Sequence, residues 1–225
     1  AKKIYLDSYL DIAILKISPE HFPANHQQAN LECNEKPKTG HPVGAYGHPW
    51  GLSYTGTKGI ISGATSEFSS EYLQTDAPIN SGNSGGPLIS LRTGKVLGVN
   101  TSSYDEDDDQ NTNFAELMIY ACRILKLLRE GKDPSPPKLP VVYLIKPLKD
   151  FELMISESYL NADLIELESG DKVIKVIGQG PVKNEAQLVH ALRGHLNEFS
   201  LEITRKGETK IISGGLDRSI NYLNR

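Results

Sequence analysis

The strongest constraint in this sequence is a succession of short apolar runs separated by turn residues. Between Asp11 and about Asn100 the runs are Ile12–Ile17, Val43–Tyr46, Gly59–Ser62, Tyr72–Gln74, Pro87–Ser90 and Val96–Val99. Glycines fall at or between these runs, where tight turns and barrel corners need an unrestricted backbone. This pattern predicts an antiparallel β-barrel or β-sandwich.

The period of the apolar residues changes after Phe114. Apolar side chains then recur at helical spacing, at Leu117, Cys122, Ile124, Leu125, Leu127 and Leu128, and Gly131 supplies a stop. Four prolines in the nine residues 132–140 are typical of a stiff, extended linker. We therefore expect a first domain over residues 1–131, a linker over 132–140 and a second domain beyond it.

The second domain, residues 141–215, mixes strand and helix patterns, and residues 216–225 form a tail. Its predicted strands are Val141–Ile145, Lys172–Ile177, Ser200–Arg205 and Thr209–Ser213, and its predicted helix is Asn184–Leu192. The pattern between residues 145 and 172 assigns no element. These features predict a small α+β domain.

Composition excludes several classes of protein. The 225 residues carry 24 Lys and Arg against 28 Asp and Glu, a formal net charge of −4, so the chain lacks the basic surplus that nucleic-acid binding needs. No apolar run approaches the roughly 18 residues of a membrane helix.

The sequence contains two cysteines, Cys33 and Cys122, far apart along the chain. Two isolated cysteines form neither a disulfide framework nor a zinc site, and they do not identify the redox compartment.

The segment Thr75–Leu88, with the sequence TDAPINSGNSGGPL, carries the chemistry. In its centre, Gly82-Asn83-Ser84-Gly85-Gly86, glycines flank a serine. Such a loop leaves the hydroxyl free and turns consecutive N–H groups toward one point, where an oxyanion can form. The pentapeptide alone also fits an ordinary surface turn, so the flanking sequence decides between the two interpretations.

With its flanks, this segment resembles the nucleophile loop of trypsin-like serine proteases, and of the HtrA (Deg) family in particular. Further stretches resemble that family in the same order along the chain. They are the aspartate strand Asp11–Ile17, the turn Tyr46–Gly51, the strand Thr57–Ser62, and the cleft-lining segments Gly98–Thr101 and Asn113–Ala115.

The resemblance implies a mostly β fold: a trypsin-like double β-barrel, its first barrel incomplete in this chain, followed by a small α+β PDZ-like domain. It implies a serine endopeptidase without cofactor or metal that cleaves unfolded or damaged proteins. It also implies a homotrimer or a multiple of one, a C-terminal peptide as ligand of the PDZ-like domain, and a place in the cell envelope or periplasm.

The resemblance also assigns roles to residues of this sequence. Ser84 is the expected nucleophile, Asp11 is expected to orient the catalytic histidine, and the expected oxyanion hole is formed at Gly82, Asn83 and Ser84. The expected substrate-binding residues are Pro78, Ile79, Asn80, Thr101, Ser102 and Ser103.

The catalytic histidine has no counterpart at its expected place. The triad order is His, Asp, Ser along the chain, yet all six histidines follow Asp11: His21, His26, His41, His48, His190 and His195. A structural role is favoured for His48, because the family resemblance places an asparagine there. The chain opens at Ala1 close to a strand, so we expect the histidine upstream. The alternative is an inactive pseudoprotease that acts as a peptide-binding or chaperone-like scaffold.

Two further segments leave alternatives open. Gly170–Gly178, Ala186–Leu192 and Leu201–Gly207 resemble the back half of a PDZ domain, but Tyr143–Ile145 lacks the glycine of the family's carboxylate loop. Peptide binding and a purely structural domain both fit. The acidic stretch Asp105–Asp109, continued to Asn113 and Glu116, has the oxygen-ligand spacing of a calcium loop, but Gln110 stands where that loop needs glycine. A solvated loop is therefore favoured over a cation site.

Overall fold

The computed structural model of the protein describes residues 2–65, 71–103, 112–137, 141–145, 153–158, 165–195 and 197–215. The chain divides into two compact units, Ala1–Lys126 and Leu127–Arg225. The division falls inside a helix, ahead of the expected boundary after residue 131. The tail 216–225 and residues 138–140 of the expected linker lie outside the described residues.

The first unit contains strands and one long helix. In chain order its elements are β1 (Lys2–Asp7), β2 (Ile12–Lys16), β3 (Pro42–Gly47), β4 (Thr55–Thr65), β5 (Tyr72–Thr75), β6 (Pro87–Ser90), β7 (Val96–Ser103), β8 (Asn113–Leu117) and helix α1 (Met118–Arg129), which runs across the division. The elements of the second unit are β9 (Val141–Ile145), β10 (Leu153–Ser158), β11 (Lys172–Val176), β12 (Gly180–Pro181), α2 (Glu185–Leu192), β13 (Phe199–Arg205) and β14 (Glu208–Gly214).

Six strands of the first unit close into an antiparallel barrel in the order β3-β4-β5-β8-β7-β6. Closure pairs every strand edge, so the barrel has no open edge to protect. Alternate residues along the strands supply its core, including Val43, Ala45, Leu73, Leu88 and Ala115, all fully buried. The expected mostly β fold is confirmed.

Strands β1 and β2 form a separate two-stranded hairpin in the same unit. The buried carboxylate of Asp7 shapes its turn: Oδ1 accepts the N–H groups of Tyr9 (3.1 Å) and Leu10 (3.0 Å). The turn ends at Asp11, whose φ of 51° lies in the left-handed region. The hairpin exposes a set of large apolar side chains, namely Ile4, Leu6, Leu15 and Ile17.

The long connection from β2 to β3 contains Cys33, which forms a disulfide with Cys122 of α1. The two cysteines are therefore partners, not isolated residues. Their sequence separation of 89 hid this pairing, because only the folded chain brings the connection beside α1. The same connection makes a parallel bridge between Leu31 and Val96 of β7.

The second unit is a sheet with strand order β14-β13-β11-β10-β9, and β12 pairs with β11. Helix α2 begins after Asn184, whose side chain accepts the N–H of Gln187 as an N-cap. Leu188 and Leu192 of this helix pack into the core with Val173, Leu201 and Ile203.

Two polar contacts organise the second unit further. The guanidinium of Arg205 binds both carboxylate oxygens of buried Asp171, each at 2.7 Å, and holds the loop that enters β11. Buried Arg193 donates from Nη1 to the carbonyl oxygen of buried Pro134 at 2.5 Å. Part of the proline-rich segment is thus packed into this unit, unlike a free linker. No helix of the described residues is long and apolar enough to cross a membrane.

Candidate active site

The loop around Ser84 is built from consecutive tight turns. The N–H of Asn83 donates to the carbonyl oxygen of Asn80, and the N–H of Gly86 donates to that of Asn83, both at 2.9 Å. Gly82 and Gly85 have φ angles of 103° and 81°, a region that costs other residues strain. The turns leave Ser84 exposed at the surface.

One side of this loop lies against the end of β3 and the turn that follows it. The carbonyl oxygens of Gly82 and Ser81 accept the N–H groups of His48 (3.0 Å) and Trp50 (2.8 Å). The approach is so close that a Cβ on Gly82 would lie 2.2 Å from the carbonyl oxygen of His48. Glycine is therefore required at position 82 by both conformation and space.

The other side of the loop is fastened to β7. The N–H of Gly85 donates to the carbonyl oxygen of Asn100, and the N–H of Asn100 donates to that of Gly86, both at 2.8 Å. In the same region, the hydroxyl of Ser84 donates to the carbonyl oxygen of Thr101, which also belongs to β7, at 2.9 Å. The serine is thus held beside the strand that was expected to bind substrate.

The backbone N–H groups of the loop differ in what they bind. The N–H of Asn83 is engaged by Asn80, which removes Asn83 from the expected set of oxyanion donors. Within the part of the chain that the structure describes, the N–H groups of Gly82 and Ser84 donate to no acceptor. Two free N–H donors beside the Ser84 hydroxyl could hold a developing oxyanion.

Asp11 lies at the start of β2 on an exposed turn. Within the described residues no hydrogen bond or ion pair joins Asp11 to Ser84, and no histidine ring bonds to either of them. The ring of His48 packs against Tyr54, with 5.4 Å between their centroids. The described residues therefore bring an exposed serine hydroxyl and free N–H donors together without a histidine bonded to that serine.

The comparisons with known proteins identify the family. A family model described as a trypsin-like peptidase domain matches residues 1–99. The chain is 33% identical over 229 residues to a "Probable periplasmic serine endoprotease DegP-like" of Pseudomonas fluorescens, which covers 93% of this chain and 47% of that relative. It is 40% identical over 126 residues to the "Serine protease Do-like HtrA" of Bacillus subtilis, covering 51% of this chain and 27% of that relative. The chain belongs to the HtrA family.

Solved structures agree with this assignment at the level of fold. An "HtrA-type protease AlgW with tripeptide" matches 97% of this chain and 78% of its own, with a TM-score of 0.73 at 23% identity. The expected trypsin-like fold is thereby confirmed. The HtrA-family chain spans at most about half the length of the curated relatives named here.

The expected substrate-binding residues of this HtrA-family chain fall on two segments. Pro78, Ile79 and Asn80 lead into the nucleophile loop; Pro78 is exposed, Ile79 is buried and Asn80 is half-buried. Thr101 lies in β7, half-buried, with its carbonyl oxygen on Ser84. Ser102 and Ser103 follow it and pair with Phe114 and Asn113 of β8.

Two asparagines take positioning roles that the sequence analysis did not assign. Oδ1 of buried Asn113 accepts the N–H of Ile79 at 3.2 Å and so fixes the segment that approaches the nucleophile. Nδ2 of buried Asn100 donates to the carbonyl oxygen of Pro87 at 3.4 Å, where the loop enters β6. The available signal was compositional, since asparagine is depleted in strands and a buried one needs a polar reason.

No group of three or more metal-ligating side chains occurs among the described residues of the HtrA-family chain. The candidate cation loop Asp105–Asp109 lies outside them. Glu116, the last ligand position of that pattern, is 1% exposed in β8.

Proposed function

We propose that the protein is a serine endopeptidase that cleaves unfolded or damaged proteins through an acyl-enzyme on Ser84. The observation that carries the proposal is the presentation of Ser84, an exposed hydroxyl between the free N–H groups of Gly82 and Ser84 itself and the carbonyl oxygen of Thr101. The names of the relatives, serine protease and serine endoprotease, support the same reaction.

In the proposed reaction a histidine takes the proton of Ser84 as Oγ attacks the scissile carbonyl carbon, and Asp11 orients that histidine. The oxyanion then accepts hydrogen bonds from the N–H groups of Gly82 and Ser84. The histidine gives its proton to the leaving amine when the C–N bond breaks, and water later releases the acyl group by the same route.

A further segment of the complete protein is proposed to supply this histidine. A serine alcohol without an adjacent base is a weak nucleophile, and none of the six histidines bonds to Ser84. The apolar residues exposed on the β1–β2 hairpin support the proposal, because they form a surface that further barrel strands would cover. The greater length of the relatives agrees with it.

The specificity pocket is proposed to take small or medium aliphatic side chains. Pro78, Ile79 and Asn80 form its expected wall, and this segment carries no carboxylate to pair with a basic side chain. A lysine or arginine bound there would be buried without a partner.

The second unit is proposed to be a PDZ-like domain that binds extended C-terminal peptides beside α2. In this binding mode a peptide adds as a strand while backbone N–H groups hold its carboxylate. The sheet with a packed helix supports the proposal. The protein is further proposed to form a homotrimer, or a multiple of one, in the periplasm or cell envelope. The disulfide and the name of the Pseudomonas fluorescens relative support that compartment.

The alternative is an inactive scaffold that binds unfolded chains without cleaving them. The bond from Ser84 to Thr101 and the lack of a base bonded to Ser84 among the described residues favour it.

Labelling of the full-length protein with a fluorophosphonate probe separates the endopeptidase from the scaffold, because the probe reacts with an activated serine. If the protein is an endopeptidase, the full-length protein should be labelled and the Ser84→Ala variant should not. If the full-length protein is folded but unlabelled, the scaffold interpretation holds. The 225-residue chain, which we expect to stay unlabelled, is the matched control.

A further inference from the structure

Near the disulfide Cys33–Cys122 along the chain is an ionic cluster formed by half-buried Lys36 and buried Glu71 and Tyr120. The ammonium of Lys36 and the hydroxyl of Tyr120 both bind Oε2 of Glu71, and Lys36 Nζ also lies 3.5 Å from the Tyr120 hydroxyl. Glu71 is 7% exposed and Tyr120 is 6% exposed. Burial and the charge of Glu71 raise the pKa of Tyr120 far above its usual range, so its hydroxyl stays a donor.

The disulfide and the cluster connect the same two parts of the chain. Cys33 and Lys36 lie in the connection between β2 and β3, while Cys122 and Tyr120 lie on α1. Backbone hydrogen bonds to Val96 hold residues 30–32 of that connection to β7. Beyond them, the disulfide and the contacts of Lys36 hold the connection against α1. The cysteines are 89 residues apart, so the disulfide closes a long loop. Cross-links that close long loops remove the most conformational entropy from the unfolded chain.

Glu71 immediately precedes β5, the strand that leads into the segment of Pro78, Ile79 and Asn80. Its buried carboxylate needs a cation, because an uncompensated buried charge is strongly destabilising. Lys36 can hold that place only while its segment stays against α1. A change at the disulfide therefore reaches the beginning of β5 through Lys36.

We infer that Cys33–Cys122 is a redox-sensitive tether whose reduction loosens β5 through the contact between Lys36 and Glu71. Cys33 is exposed and Cys122 is half-buried, so a dithiol reductant attacks the sulfur of Cys33 and the thiolate of Cys122 leaves. The second thiol of the reductant then attacks the mixed disulfide. The products are two protein thiols and the oxidised, cyclic reductant, with two electrons transferred.

Amide hydrogen exchange on the full 225-residue chain tests this inference without using any catalytic activity. Reduction with dithiothreitol under native conditions should release two thiols per folded chain. It should accelerate exchange in β5 by about ten-fold or more relative to β3. The β13–β14 hairpin, in the unit without cysteines, is the internal control. Reoxidation should restore the original rates.

A variant pair separates the ionic contact from the disulfide. Lys36→Met, with the disulfide intact, should reproduce the acceleration in β5, whereas Lys38→Met, an exposed lysine of the same segment, should not. Three results would overturn the inference: thiols released only on unfolding, unchanged exchange in β5 after reduction, or equal acceleration across all barrel strands. Because these measurements need no proteolysis, they stand apart from the endopeptidase proposal.

Discussion

The hydroxyl of Ser84 donates its hydrogen bond to the carbonyl oxygen of Thr101, 2.9 Å away. A serine that is ready to attack donates instead to a base that will take its proton. Thr101 cannot act in that way, because a peptide carbonyl oxygen is far too weak a base. The bond therefore leaves Ser84, the proposed nucleophile, exposed but without a base to take its proton among the described residues.

The 225-residue chain should accordingly show no proteolytic activity. Loss of one triad member typically lowers turnover by about 10⁴ to 10⁶, and the free N–H groups alone do not recover this loss. Casein hydrolysis by the refolded chain is the measurement, with Ser84→Ala as control. Cleavage that disappears in Ser84→Ala would mean that one of the six histidines of this chain reaches the serine.

Gly82→Ala should destabilise the first unit more than Gly94→Ala does. Both glycines have positive φ, 103° and 72°, so both substitutions incur backbone strain of about 1 kcal/mol or more. At position 82 the new Cβ would also meet the carbonyl oxygen of His48 at 2.2 Å, whereas position 94 is open. We expect a loss of about 2–4 kcal/mol for Gly82→Ala, measured by urea unfolding. Equal losses in the two variants would contradict the close approach.

The stability of the first unit should fall at mildly acidic pH because of His41. Its Nε2 lies 2.7 Å from the hydroxyl oxygen of buried Ser90, and burial, aided by the charge of Arg92, lowers the pKa of His41 below 6.5. The unfolded chain then binds the proton more readily than the folded chain does. The contribution of His41 to the free energy of unfolding is therefore complete above about pH 6.5 and is lost as the pH falls through the folded-state pKa.

Thermal melting from pH 7.5 to pH 5 measures this loss. His41→Gln keeps an acceptor for Ser90 but cannot titrate, so its melting temperature should change less over the same range. Parallel pH curves for the two proteins would show that His41 does not contribute.

The full-length protein, as the proposed endopeptidase, should cleave after small or medium aliphatic residues. Val, Ala, Ile or Leu should precede the cleaved bond, because the segment Pro78–Asn80 offers no carboxylate to a basic side chain. Profiling on a peptide library, with the Ser84→Ala protein as blank, measures the preference. A preference for Lys or Arg would refute the proposed pocket.

The second unit should bind peptides through their free C-terminal carboxylate. The chain should therefore bind a C-terminal peptide that loses affinity when its carboxylate is amidated, because backbone N–H groups recognise the charge. Titration calorimetry with the acid and amide forms of one peptide gives a matched comparison. Equal affinities would contradict the carboxylate site, and binding of neither form would indicate a structural domain.

The sequence alone was sufficient for elements whose residue pattern is local. The apolar runs at Ile12–Ile17, Val43–Tyr46 and Pro87–Ser90 correspond to strands β2, β3 and β6. The predicted helical spacing corresponds to α1, except that its first residue, Leu117, is the last residue of β8. Strands β1, β8, β10 and β12 were not predicted. Short strands are recognised by a continuous or alternating apolar pattern, and charged residues in KKIYLD and LMISES interrupt it.

Ser84 was likewise proposed as the nucleophile from the sequence alone, because a glycine-flanked serine loop is a contiguous motif. Contacts between distant residues were not. Only the fold places Thr101 against Ser84, occupies the N–H of Asn83 while leaving those of Gly82 and Ser84 free, and joins Cys33 to Cys122. Local patterns report the conformational preferences of neighbouring residues, whereas these contacts depend on how a closed barrel brings separate strands and loops together.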